Sequence, residues 1–375
     1  MSNHEQNPVS PDVTYDALLI VSYGGPEGPE EVRPFLENVL RGRGVSQQQL
    51  EAAAAKYNAI GGASPVNEEC RSLIGGLLRD IDAKPWSPDA VAEPSVDEIF
   101  NQVNKLPVYW GNLFWYPLLE DTIAGMAEDG IRRVIAFCTV PFDTEHSRRS
   151  YGGAIDAAVK KANTPSGTPV NQHIVVQQTR LFYNHPLFIS TMADRLAETL
   201  QRRGVSGEGR AMGDEAVSES SPLASHASSL VLFTAHSVPQ TDAAIESYLA
   251  QLKQACSLVA ELMQFEQVGI TWDIAFQSRG SSQNLWCGPS VADFVTAMPE
   301  RFPDKKTVIA CPIGFMLENM ELLFDLDIEL RQLCESLGLN YERTLPVSGH
   351  RKTIAMIREL VAEVYSPLVP RRCMG

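Results

Sequence analysis

The chain has 375 residues, enough for two ordinary domains, and its 44% hydrophobic and 21% charged residues suit a globular protein in water. Its formal net charge of −15 argues against nucleic acid and anionic membrane surfaces, since both call for a basic face. No run of about 18 apolar residues predicts a membrane-spanning helix, and the polar start MSNHEQNPVSP has neither the basic nor the apolar region of a secretory signal.

Residues 1–11 read as a disordered tail. Beyond them, short apolar runs alternate with helical patterns. The runs are Ala17–Ser22, Leu106–Trp110, Val134–Val140, His173–Gln178, Leu230–Ala235, Trp272–Gln277 and Thr307–Ile313. Val, Ile, Leu and Phe dominate them, as in strands buried on both faces. Helices are predicted over Glu30–Leu40, Leu118–Glu128, Ala154–Ala162, Leu187–Arg202, Ile245–Met263, Val291–Arg301, Glu318–Ser336 and Thr353–Val364. This alternation predicts an α/β protein with parallel sheets flanked by helices.

Two segments interrupt the pattern. Lys84–Asp97, rich in Pro, Ser and acidic residues, reads as a loop, and Gly204–Ser229 as a disordered low-complexity insertion. A joint near Gln178–Tyr183 divides the chain into domains 12–180 and 181–352, with a C-terminal helix and tail over 353–375. The seven cysteines are widely spaced and include no C-x-x-C, which argues against structural zinc and suits a reducing cytoplasm.

In open α/β sheets ligands bind beyond the carboxyl ends of the strands, so the residues after each run are the candidates. Tyr23-Gly24-Gly25-Pro26-Glu27 follows the first run as a tight strand-to-helix turn that is not a dinucleotide fingerprint. Tyr57 to Asn67 (YNAIGGASPVN) is a loop leading into a new helix, where Ser64 either caps that helix or meets an anion. His236 ends the run LVLFTA, a place suited to acid–base work or metal binding, although a lone histidine is more often structural. Phe276-Gln277-Ser278-Arg279-Gly280 ends the next run, and Arg279 with Trp286 would suit a flat acidic ligand.

After the last run, Glu321, Asp325 and Glu329 stand at i, i+4 and i+8 on one helix face, opposite Leu322, Leu323 and Leu326. Like charges at this spacing repel, and no basic residue relieves them before Arg331. A solvated face is the ordinary reading. The other is a carboxylate path for a divalent cation, since oxygen ligands suit labile transfer better than thiolates.

Taken in order, these segments resemble the ferrochelatase family. They are YGGPE at 23–27, FLENVLRGR at 35–43, YNAIGGASPVN at 57–67, AHSVP at 235–239, FQSRG with Trp286 and GP at 276–289, and PIGFMLENMELLFDLD at 312–327. The resemblance implies two Rossmann-like, chelatase-type domains facing each other across a porphyrin cleft. It implies that Fe²⁺ is inserted by His236 and Glu321, with Asp325 and Glu329 continuing an acidic path outward. Tyr23 matches the coproporphyrin-type branch, whose tyrosine can ligate iron from the opposite face. The implied substrates are coproporphyrin III and Fe²⁺, the implied product is coproheme, and the protein is expected to work as a monomer. Arg41, Lys56, Tyr57, Ser64 and Tyr151 match positions around the porphyrin carboxylates.

Three positions depart from the family pattern. Leu113 stands where Arg or Lys is common, and Asn319 where many members have histidine. Arg148 stands where relatives with a [2Fe–2S] cluster carry an internal cysteine, and the tail offers only Cys373, so neither a cluster nor another tightly bound cofactor is expected. The competing readings are a protoporphyrin IX ferrochelatase, a chelatase for another metal or tetrapyrrole, a porphyrin carrier without catalysis, and a generic nucleotide-binding α/β protein.

Overall fold

A computed structural model describes residues 14–42, 44–79, 94–164, 172–206, 228–280 and 285–375. The expected N-terminal tail and most of the expected insertion lie outside these residues. Where the expected insertion and loop do fall on described residues, the reading is corrected. The helix Pro186–Ser206 runs on through Gly204, and Pro94–Val103 is helical although Lys84–Asp97 reads as loop.

Among the described residues, eight strands form two four-stranded parallel sheets. The first contains β1 (Ala17–Ser22), β2 (Val108–Asn112), β3 (Arg133–Cys138) and β4 (Val175–Gln178), in the order β2-β1-β3-β4. The second contains β5 (Ser229–His236), β6 (Thr271–Gln277), β7 (Thr307–Cys311) and β8 (Asn340–Arg343), in the order β6-β5-β7-β8. Each half therefore places its first strand beside its third, as crossover helices allow. β8 has no counterpart among the predicted runs, because its residues Asn-Tyr-Glu-Arg bury only Tyr341.

Side chains alternate across each sheet, and this alternation sorts the core. Leu18 and Ile20 of β1 face inward with Val231 and Phe233 of β5, in one apolar cluster that spans both halves. The helix Pro186–Ser206 and the C-terminal helix Arg351–Tyr365 contribute Phe188, Leu196, Ile357 and Leu360 to that cluster. Ala17, Leu19 and Val21 face the other way, onto Leu119, Ile123 and Ile155. Leu230 and Leu232 likewise face Phe294, Leu322 and Leu326.

The C-terminal helix is also tied down by polar groups. Arg358 donates to the Leu77 carbonyl at 2.9 Å, and Arg180 forks onto Glu363 at 2.8 and 3.1 Å.

The predicted helix Glu318–Ser336 is not uniform. Glu318 and Asn319 lie before the helix, Leu322–Leu330 is π-helical, and Arg331–Ser336 is again α-helical. The burial pattern fits the wider turn. Leu322, Leu326 and Leu330 are all buried at four-residue spacing, while Leu323 is only half-buried. The fork of Arg343, from β8, holds this turn. It bonds both oxygens of Asp327 at 2.8 and 2.6 Å and also pairs with Glu318 at 3.1 Å.

Candidate active site

Both sheets present the carboxyl ends of their strands to the same region. His236 closes β5, where its backbone is fixed on two sides. It pairs in register with Gln277 of β6, and its carbonyl accepts the Tyr248 hydroxyl at 2.7 Å. The imidazole Nδ1 lies 2.6 Å from the Ser237 carbonyl, an oxygen that can only accept. Nδ1 therefore carries a proton, and Nε2 is turned to Glu321 Oε1, 3.5 Å away. The imidazole is 46% exposed and the carboxylate 32%, so the pair is open to a ligand.

Glu321 stands just before the π-helical stretch, after the loop that leaves β7. Gly314 in that loop packs directly on β5, and a Cβ there would lie 2.6 Å from the Ala235 Cα. Only glycine allows this approach beside His236. Gln277 Nε2 donates to the Glu321 carbonyl at 3.4 Å. Asn319, at the position that departs from the family, accepts from the Leu322 amide at 3.1 Å and so caps the turn that carries Glu321.

The electrostatics favour a charged pair. Burial works to lower the His236 pKa, but Glu321 and the Ser237 carbonyl outweigh it and raise the imidazole to about 9. Burial pushes the Glu321 carboxyl up, yet His236, Lys56 and Ser278 together hold it below its usual value.

The acidic line continues, but not as the sequence reads it. The repulsion at Asp325 is relieved by Lys56 from the other half, whose Nζ lies 2.9 Å from Asp325 Oδ1. Ser278 Oγ donates to Asp325 Oδ2 at 2.5 Å. Glu329 is exposed farther along the helix, and its carboxyl is raised by partial burial and by Asp325 against the pull of Lys56. The five expected metal ligands therefore do not form one cage. Among the described residues, no three His, Cys, Asp or Glu side chains converge on a metal-sized site.

The opposite wall is aromatic. Tyr23 packs its ring 4.7 Å from Phe114 and 6.4 Å from Phe35, and Phe35 stands edge-on to Tyr57 at 5.7 Å. Gly24, with a φ of +81°, makes the turn that sets Tyr23, and a Cβ there would lie 2.8 Å from the Asn112 Cβ. Met320, the neighbour of Glu321, packs against this aromatic cluster. Burial raises the Tyr57 phenol far above its ordinary range, with Tyr23 and Glu321 adding to the effect. Through Met320 the aromatic cluster of Tyr23 and Tyr57 therefore adjoins the turn that carries Glu321.

The remaining candidates are more scattered. Ser64 is buried against Gly25. Tyr151 is buried in a second π-helical segment, Arg148–Gly152, where burial raises its phenol against a hydrogen bond with Thr139. Arg41 is exposed and donates to Asn38 at 2.6 Å. Arg279 turns onto its own loop, donating to the Gly288 carbonyl at 2.7 Å. Trp286 packs over Gly280 and bridges to Pro239, three residues beyond His236. Leu113 is half-buried among apolar neighbours, with no charge to offer a carboxylate.

Gln277 and Ser278 are site residues that the sequence reading passed over. They sit inside the segment singled out for Arg279, at the same strand-end position that flagged His236. That position was the signal available for finding them. Ser278 adopts a φ of +60°, a left-handed conformation uncommon outside glycine, and it does so beside the acidic line.

A ferrochelatase of Rhodopirellula baltica is 35% identical over 96% of this chain and 89% of its own length. A coproporphyrin III ferrochelatase of Corynebacterium glutamicum is 32% identical, covering 93% of this chain and 84% of its own. Another, of Nocardia farcinica, is 33% identical, covering 95% and 90%. The family described as Ferrochelatase matches residues 15–365, a span that contains both sheets and every site residue named above. The chain belongs to the ferrochelatase family of metal-chelating enzymes of heme biosynthesis.

Proposed function

We propose that this ferrochelatase inserts Fe²⁺ into coproporphyrin III to give coproheme, with His236 and Glu321 at the reacting centre. The observation that carries the reading is the His236–Glu321 pair, 3.5 Å apart and part-exposed, beside the aromatic cluster of Tyr23 and Tyr57 that Met320 joins to the Glu321 turn. A porphyrin must lose two pyrrole protons before a metal can occupy its centre. The Glu321 carboxylate is the proton acceptor and oxygen donor of the charged pair, and His236 becomes a second acceptor and a nitrogen donor for the cation once it has passed its own proton on. Neither holds iron as tightly as a thiolate would, which suits a metal that must be passed on.

Support for coproporphyrin over protoporphyrin comes from three sides. Tyr23 is the residue the coproporphyrin-type branch carries. Several relatives matched over most of the chain bear that activity in their names. The Lys56 side chain is 39% exposed beside the site, where its ammonium suits a substrate with four carboxylates. Iron enters as substrate, and no resident cluster is invoked. Arg148, at the position of the cluster cysteine in other relatives, is forked onto Asp143. The proposed setting is the cytoplasm. Among the described residues no helix is long and apolar enough to cross a membrane.

The test is anaerobic metalation followed by absorbance, with Fe²⁺ and either coproporphyrin III or protoporphyrin IX. Faster turnover of coproporphyrin III is expected. Preference for protoporphyrin IX would overturn the substrate, and porphyrin binding without metalation of either would instead favour a carrier.

A further inference from the structure

Lys56 and Asp325 lie 269 positions apart in sequence, and their contact joins the two halves at the site. Their environments differ. The Asp325 side chain is 7% exposed and that of Lys56 39%. Both carboxylate oxygens are engaged, one by the ammonium and one by the Ser278 hydroxyl. Glu321 is meanwhile paired with His236. In this arrangement the acidic line from Glu329 to Glu321 is interrupted at its middle member, whose charge is already balanced.

We propose that Lys56 is exchanged between Asp325 and a carboxylate of the bound tetrapyrrole, so that substrate binding uncovers Asp325 for the incoming divalent cation. The inference rests on the substrate reading above and deepens it, because it sets the order of binding.

Three features support the exchange. The ammonium, seated over the Phe324 ring, has three donors on a flexible four-carbon stem, and the side chain is half-exposed, within reach of an anion entering the site. Its departure leaves Asp325 oriented, because the Ser278 hydroxyl is neutral and stays in place on a backbone held in the left-handed region. Finally, the exchange strands no ion. Lys56 passes from one carboxylate to another, and the buried charge of Asp325 is answered by the cation. An unpaired buried carboxylate is costly, so uncovering it creates a strong demand for a counter-ion. Tetrapyrrole and cation then raise each other's affinity by the same factor, as linkage requires. Iron is thereby kept off enzyme that has no porphyrin to receive it.

The experiment measures Mn²⁺ binding to the full-length protein by the electron paramagnetic resonance of the free ion. Without porphyrin, Lys56→Met should bind Mn²⁺ roughly 5- to 150-fold more tightly than the parent, the usual range of such couplings. Lys56→Arg, which keeps the charge, should stay near the parent and serves as the folding control. Coproporphyrin III already carrying zinc, and so unable to take up manganese, should tighten Mn²⁺ binding in the parent but not in Lys56→Met. Equal Mn²⁺ affinity in parent and Lys56→Met would overturn the exchange. So would unchanged Mn²⁺ affinity in parent protein with the zinc porphyrin bound. Porphyrin binding is read separately by its absorbance, so failure to bind at all contradicts the substrate reading rather than the role of Lys56.

Discussion

At the scale of single residues, the site is a set of charges arranged in pairs. His236 holds its proton because the Ser237 carbonyl and the Glu321 carboxylate both favour the charged ring over the cost of burial. Its folded pKa of about 9 lies above the ordinary 6.5. The stabilisation is therefore complete below pH 6.5 and is lost as pH rises through about 9. In urea titrations of the metal-free protein, parent stability should fall across that window relative to its value at pH 6, and His236→Ala should flatten this fall. A parent profile with no such slope would contradict the pairing. His236 was legible as a candidate because a histidine ending an apolar strand has few bland explanations once its neighbours match a family. The neutralisation of Asp325 was not legible, because Lys56 comes from the other half of the chain and no local spacing reveals it.

At the scale of elements, the central strands and three of the four edge strands were readable, and the fourth edge was not. β1, β5 and β7 are buried on both faces, so their apolar runs stand out. β8 is a short polar edge strand, and only pairing with β7 makes it a strand. The helix carrying the carboxylates was legible as helix but not as π-helix. A four-residue repeat of leucine fits an α-helical stripe nearly as well, and the Arg343 fork on Asp327 and Glu318 is a tertiary contact. The packing of the β7 loop against β5 gives a test at this scale. Gly314→Ala places a methyl 2.6 Å from the Ala235 Cα, where backbone must yield. It should cost about 1–3 kcal/mol in chemical denaturation, as overpacking does. It should also lower metalation by shifting His236. Unchanged stability and rate would show that this approach does not position the histidine.

At the scale of the whole molecule, the two halves share one core. The cluster that joins Ile20 and Phe137 of the first sheet to Phe233 and Ile309 of the second also takes in Met356, Ile357 and Leu360 of the C-terminal helix. The alternation of strands and helices predicts two sheets, but it says nothing about which faces meet. A shared core predicts one cooperative unfolding transition. Tryptophan fluorescence and far-ultraviolet circular dichroism should give coincident urea curves, since Trp110 and Trp115 report on one half and Trp272 and Trp286 on the other. Two separated transitions would show that the halves fold independently. The central claim is that iron insertion runs through the His236–Glu321 pair, and anaerobic metalation of coproporphyrin III by His236→Ala tests it most directly. The account predicts a rate lower by about 10²- to 10⁴-fold, the usual contribution of a positioned acid–base group, with unchanged circular dichroism and retained porphyrin binding. Metalation near the parent rate would contradict it.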